Sequence, residues 1–324
     1  MYLNKKYLFL PFRIILASFR HVKKMIFLLN IHKFNSLTVL LKILYINIFY
    51  MIPRIRNFRN KISIDKVNSD KSLDPKTKKN IFELSKKGCT EVNTLSKLDV
   101  DKILKEIFLY NKKNIIFRRR KTNFNLIIKD NETINNYNKR IFEEKISRFI
   151  IPINLDKSHF IKKMILSKIN VETAKIYLKS DNFSIGASCH ISNALKIDDD
   201  EKLGNAQLYH FDNDFSNFLK MYIYLTDVGT EDGPHTYIEN THKNKNVDHF
   251  LIKRNTDKEI EDSYPSKKIY TGIKGTYFLT DGFGIHKGEI VKRNYRMILN
   301  VHYGLEKIKY YKYDTYVKSS QFFE

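Results

Sequence analysis

The stretch Leu208-Tyr209-His210-Phe211-Asp212 sets an imidazole and a carboxylate two residues apart. In an extended strand, side chains at i and i+2 leave the backbone on the same face, so His210 and Asp212 can hold one metal ion together. A third donor would complete a set of two histidines and one carboxylate. Such a set grips a metal such as Fe(II) from one side and leaves positions open for an oxidant and a cosubstrate. The tripeptide alone is a weak signal in a chain with 10 histidines. The third donor should come from a later strand. Asp281-Gly-Phe-Gly-Ile-His286-Lys-Gly288 offers His286, framed by glycines that let backbone approach closely. Ten residues on stands Arg296, whose guanidinium can take the distal carboxylate of a dicarboxylate in a bidentate fork.

Each of these residues has a rival. His302 and His242 are substitutes for His286, although His302 follows Arg296 and so reverses the expected order. Arg293, only seven residues past His286, competes with Arg296. His190 and His235 either face a substrate pocket or are simply packed. With Cys89 and Cys189 as the only cysteines and no CxxC pair, a disulfide framework and a cysteine-based zinc module are excluded. The two read as packed or surface thiols.

The elements that must position these residues follow from periodicity. Residues 65–80 are polar, contain Pro75 and read as a linker. A helix follows through Ile81, Leu84 and Ser85, and Gly88 fits its C-cap. Ser96 is a plausible N-cap for a second helix, in which Val100, Ile103, Leu104, Ile107 and Phe108 recur at helical spacing. Residues 138–180 read as mixed and helical, with Val171–Leu178 amphipathic. From Phe183 strands take over: Phe218–Thr226 fits a buried strand, Gly229–Pro234 a turn, and Ile269–Ile273, Thr276–Thr280 and Arg296–Tyr303 further strands. Helices first and strands later predict an α+β chain built on an antiparallel sandwich or barrel. No internal repeat is visible.

Charge is unevenly spread. The chain has 324 residues with 58 Lys+Arg against 35 Asp+Glu, a formal net charge of +23. Residues 1–64 hold twelve of those cations and no acid; the first is Asp65. This leader also carries apolar runs at Tyr7–Phe19, Met25–Ile31 and Leu37–Ile52. The last run is short for a spanning helix, which wants about 20 apolar residues, and Lys42 and Asn47 interrupt it. Three readings stay open: interfacial helices on a membrane surface, helices packed on the domain, or a transit or spanning segment. The expected location is cytoplasmic, with peripheral membrane contact and organelle targeting as open alternatives. Arg118-Arg-Arg-Lys121 is one short basic cluster, and no helix-turn-helix, zinc finger or RNA-recognition signature accompanies it, so no nucleic-acid partner is expected.

The run from Tyr209 to Lys243, Tyr-His-Phe-Asp-Asn-Asp-Phe-Ser-Asn-Phe-Leu-Lys-Met-Tyr-Ile-Tyr-Leu-Thr-Asp-Val-Gly-Thr-Glu-Asp-Gly-Pro-His-Thr-Tyr-Ile-Glu-Asn-Thr-His-Lys, resembles the phytanoyl-CoA dioxygenase family. The shared pattern is His-x-Asp, a strand ending in Leu-Thr-Asp-Val, an acidic Asp-Gly turn, a Thr-His-Lys segment, and a distal His followed about ten residues later by Arg. The likeness covers roughly residues 81–304, most specifically 205–304, and leaves out the leader. It implies a double-stranded β-helix (jelly-roll) core with N-terminal helices packed outside it, in a domain spanning 81–310 with a tail at 311–324. It also implies an oxygenase using Fe(II), 2-oxoglutarate and O₂. By position, His210, Asp212 and His286 would be the metal ligands, Arg296 would bind the distal carboxylate of 2-oxoglutarate, and Tyr224 would line the cosubstrate pocket. A carboxylate at Asp212, rather than Ala or Gly, implies hydroxylation and not halogenation.

Two functions of different kind follow. One is a dioxygenase hydroxylating a small organic or lipid-like substrate. The other is a non-catalytic jelly-roll binding protein associated with a membrane surface. The substrate itself is not legible, because loops and residues 110–205 would build its pocket and carry no motif.

Overall fold

The computed structural model describes residues 62–110, 116–117, 136, 139, 148–194, 207–212, 218–246, 249, 254–305 and 315–317. Residues 1–61 of the basic leader and the Arg118–Lys121 cluster lie outside them. The chain forms two units, Met1–Arg59 with Lys243–Lys253, and Asn60–His242 with Arg254–Glu324. The architecture that follows is that of the second.

In chain order its elements are α1 (Ile64–Ser69), α2 (Pro75–Lys87), β1 (Asn93–Thr94), α3 (Lys97–Tyr110), β2 (Ile116–Phe117), β3 (Arg148–Pro152), α4 (His159–Ile165) and α5 (Lys168–Leu178). Then come β4 (Phe183–Asn193), β5 (Phe218–Tyr224), β6 (His235–Ile238), α6 (Asp257–Glu261), β7 (Lys267–Tyr270), β8 (Thr276–Asp281), β9 (His286–Gly288), β10 (Tyr295–Gly304) and β11 (Thr315–Val317). Five of the six described helices precede β4, as the periodicity predicts, but the short strands β1, β2 and β3 are interleaved with them and α6 falls between β6 and β7. The stretch 65–80, expected to be a linker, instead holds α1 and the start of α2. The Asp74 carboxylate accepts from Lys76 N at 2.7 Å and Pro75 occupies the first turn, a start signal hidden in a polar segment. Gly88 ends α2 in the left-handed region at φ 82°, and Ser96 caps α3 by accepting from Asp99 N at 3.1 Å.

The strands form two antiparallel sheets. The larger runs β1-β8-β5-β10-β4-β3-β2, with β11 also paired to β4; the smaller runs β7-β6-β9. Side chains alternate across a strand, and here the alternation sorts them by chemistry. Ile185, Ala187, Cys189 and Ile191 of β4, Leu219, Met221 and Ile223 of β5, and Met297, Leu299, Val301 and Tyr303 of β10 all leave one face. They form a single core with Ile81 and Leu84 of α2, Val100, Ile103 and Ile107 of α3, and Val171 and Ala174 of α5. Each such aliphatic side chain contributes about 1.5–3 kcal/mol by leaving water. The other face turns toward the small sheet. There Tyr222, Tyr224, Phe278 and Ile298 of the large sheet pack with Tyr237 and Tyr270 of the small one. Among the described residues no helix is long and apolar enough to cross a membrane.

One carboxylate fastens the helical layer. Glu106, on α3, accepts from Phe160 N at 2.8 Å and Ile161 N at 2.9 Å, so it closes the exposed amide end of α4. Glu106→Ala should therefore cost about 1–2 kcal/mol of stability. A lower urea midpoint at unchanged slope is the expected result, and an unmoved midpoint would show that water replaces the carboxylate without cost.

Candidate metal and cosubstrate site

The local chain path between the two sheets brings the predicted ligands together. His210 and His286 face each other across an isolated antiparallel bridge, with His210 N donating to His286 O at 2.9 Å and His286 N to His210 O at 2.7 Å. Asp212 N then donates to Gly282 O at 2.9 Å, which carries the pairing two residues further. The turn before His286 is tight: Gly284 N donates to Asp281 O at 3.0 Å, and a Cβ on Gly284 would collide with the Tyr237 hydroxyl. The glycine framing read in the sequence is thus a steric requirement.

Among the described residues, His210, Asp212 and His286 each offer a ligand atom, all within 4.8 Å of one another. The Asp212 carboxylate lies 3.9 Å from His210 Nε2 and 3.4 Å from His286 Nε2. Both rings are oriented from behind. His210 Nδ1 pairs with Leu208 O at 2.8 Å and His286 Nδ1 with Gly284 O at 2.9 Å. A carbonyl only accepts, so Nδ1 carries the proton in each ring and Nε2 presents its lone pair. That is the second-layer bonding a metal-ligating histidine uses. Burial, with the neighbouring His286 and Arg254, holds His210 well below the usual histidine range, so it stays neutral and able to ligate. Burial opposes ionisation of Asp212, but the Lys220 ammonium beside it leads the neighbours that outweigh burial and hold the carboxyl well below the usual carboxylate range. Two imidazole nitrogens and one carboxylate, pre-ionised and pre-oriented, fit a divalent iron ion.

Arg296 and Arg293 have different fates. Arg293 makes a bidentate pair with Asp232, at 3.2 and 3.1 Å, and its side chain is 62% exposed. Arg296 is buried on β10 and donates to Gly233 O, and its Nε has no hydrogen-bond partner among the described residues. No carboxylate pairs with it there. Gly288 leaves room for it, since a Cβ at that position would stand 3.2 Å from the guanidinium. A buried guanidinium without a counter-ion is costly unless an anion joins it. This arrangement fits the distal carboxylate of 2-oxoglutarate.

Tyr224 lies beside Arg296, but its hydroxyl donates to Tyr270 O at 2.7 Å and accepts from His235 N at 2.9 Å. Burial pushes its phenol up to about 12, against the pull of Arg296. The hydroxyl therefore ties β5 to β6 and β7. His302 is on β10, opposite Lys220 and Gly186, and His242 packs on Gly88; neither joins the three-residue group. His190 pairs with Ser188 Oγ at 2.8 Å and with Arg148 at 2.7 Å. Both cysteines are buried, and burial pushes the Cys89 thiol up to about 12, so neither is a reactive group.

Sequence reasoning missed Lys220. It donates to Asp212, with its side chain 12% exposed. A lone cation inside the apolar run Phe218–Tyr224, on the parity of Tyr222 and Tyr224, is the signal that marks it.

No family profile and no curated protein matches the sequence. Solved structures do resemble it. EctD from S. alaskensis, in its apoform, is 14% identical at TM-score 0.49, covering 74% of this chain and 81% of that one. The non-heme alpha ketoglutarate dependent epimerase SnoN from nogalamycin biosynthesis is 13% identical at TM-score 0.48, covering 71% and 82%. HygX from Streptomyces hygroscopicus, solved with nickel and 2-oxoglutarate bound, is 11% identical at TM-score 0.44, covering 72% and 87%. Similarity this distant leaves the chemistry to be read from the chain's own residues.

Proposed function

We propose that this chain is a jelly-roll oxygenase of the phytanoyl-CoA dioxygenase type that uses Fe(II), 2-oxoglutarate and O₂ to hydroxylate a small organic molecule. The observation that carries the reading is the set His210, Asp212 and His286 together with a buried guanidinium, Arg296, that has no carboxylate partner among the described residues. Bound iron and 2-oxoglutarate supply the oxidising power for attack on a C–H bond. The protein's part is positional. The backbone bridge between His210 and His286 sets the spacing of the two Nε2 atoms, and the Leu208 and Gly284 carbonyls set their direction. Lys220 keeps Asp212 ionised and turned toward the histidines. Arg296 holds the far carboxylate of the 2-oxo acid, and the aromatic layer of Tyr222, Tyr224, Phe278 and Tyr270 keeps water from the space between the sheets.

The wall beside the site bears on the substrate. On the inner face of the large sheet β4 presents Ser184, Ser188, His190 and Ser192, and β10 presents Asn300 and His302. Asn300 Oδ1 and Ser184 Oγ are buried without a partner among the described residues. Such a wall favours a polar, hydrogen-bonding substrate over the lipid-like one left open by the sequence.

The test is anaerobic addition of Fe(II) and 2-oxoglutarate to the full chain, followed by visible absorption. A weak charge-transfer band in the wild type, absent in His210→Ala, is expected. No band in the wild type, or a band unchanged in the variant, would sink the reading and leave the non-catalytic binding protein in its place.

A further inference from the structure

His235 has no place in the metal set, yet it stands between the two halves of the site. On β6 it pairs in register with Gly288, the residue whose missing Cβ makes room for the Arg296 guanidinium. One step along β6, on the same face, Tyr237 pairs with His286 and stacks on it at 6.4 Å. The His235 ring centre is 5.4 Å from that of His286 and 4.5 Å from that of Tyr222. Its position therefore lies diagonally between a metal ligand and the buried arginine. A dicarboxylate reaching from the metal to Arg296 has to pass it.

Its chemistry suits that place. His235 is 5% exposed, and its Nε2 is buried with no hydrogen-bond partner among the described residues. An unpaired ring nitrogen at that depth is costly unless a ligand satisfies it. The backbone is held independently of the ring: His235 N donates to the Tyr224 hydroxyl at 2.9 Å, which itself donates to Tyr270 O. The oxygens of a 2-oxo diacid only accept, so the ring must donate.

On the oxygenase reading above, we propose that His235 is a further binding residue for the 2-oxo acid, its Nε2–H donating to a carboxylate oxygen between the metal ligands and Arg296. The alternative is a ring that merely packs against Tyr222 and Phe278, from which it lies 4.5 and 5.5 Å between ring centres.

Two variants separate them. His235→Phe keeps the aromatic packing and removes the donor, while His235→Gln keeps a donor and removes the ring. Co(II) affinity and 2-oxoglutarate affinity are measured separately on the full-length protein, by anaerobic titration and calorimetry. The expected result is a loss of 2-oxoglutarate affinity in His235→Phe on the order of ten-fold, as for a hydrogen bond to a charged group. Co(II) affinity should stay within about two-fold, since no ligand or oriented carbonyl is touched. His235→Gln should recover part of the loss. Unchanged 2-oxoglutarate binding in His235→Phe overturns the proposal, and so does an equal fall for metal and 2-oxo acid. A wild type that binds Co(II) but no 2-oxoglutarate removes the oxygenase reading itself, an outcome distinct from a wild type that binds both while His235→Phe does too.

Discussion

Arg296→Leu is expected to weaken 2-oxoglutarate binding by about 100-fold or more, because two charge-assisted hydrogen bonds to one carboxylate are lost together. Metal affinity should not follow. Arg296 sits on β10, and none of the three ligands or the carbonyls behind them rests on its side chain. Arg293→Leu is the matched comparison. It removes a cation of the same type from three residues earlier, but one already paired with Asp232 and mostly in water. Its effect on both ligands should be within about two-fold, as for other exposed ion pairs. Calorimetric titration of metal-loaded protein with 2-oxoglutarate reads all three proteins on one scale. If Arg293→Leu shows the larger loss, the cosubstrate lies elsewhere.

The second large effect is one of stability. Asp281, 1% exposed, accepts from the Tyr177 hydroxyl at 2.5 Å and from Phe283 N at 2.8 Å. Its own backbone N donates to Gly88 O at 2.7 Å, and its carbonyl accepts from the Tyr237 hydroxyl at 3.0 Å. One residue therefore joins α5, the end of α2, β6 and the turn that delivers His286. Asp281→Ala takes a charged acceptor from a buried hydroxyl and a buried amide at once and should cost roughly 3–5 kcal/mol. For a chain of this size that is a fall in Tm of about 6–15 °C. Because the turn to His286 loosens, metal affinity should fall as well. Tyr177→Phe removes one of the two bonds, so thermal melting should show a smaller drop with metal affinity kept. Equal melting temperatures for Asp281→Ala and the wild type would show that the turn is held by its glycines alone.

Much of this site was legible because it depends on short-range rules. His210 and Asp212 share a face through the period of a strand, the apolar and polar parities of β5 and β10 stand in the sequence, and Gly88 and Ser96 mark helix ends where the structure has them. What could not be read depends on distant partners. Polar composition hid α1 and the start of α2, whose Thr77 and Asn80 are nevertheless buried. The short strands β1, β6 and β9 draw their identity from the strands they pair with, and no local pattern announces them. Spacing from His286 favours Arg296 over Arg293, but the physical reason lies far off: Asp232, 61 residues before Arg293, claims that guanidinium and leaves Arg296 without a carboxylate partner among the described residues. Lys220 and His235 likewise take their meaning from Asp212 and Gly288, which only the register brings near them.

The position of β10 has a consequence for how the molecule is made. It lies in the interior of the large sheet, with β4 on one side and β5 on the other, although it follows both by many residues in the chain. While the polypeptide leaves the ribosome, β4 and β5 have no strand between them until Tyr303 emerges. Each then exposes a row of unsatisfied backbone groups beside apolar side chains, the condition under which strands pair with other chains. The interval between synthesis of Tyr224 and of Gly304 is thus the period of greatest aggregation risk. A nascent chain stalled there needs a chaperone more than one stalled in the helices before it.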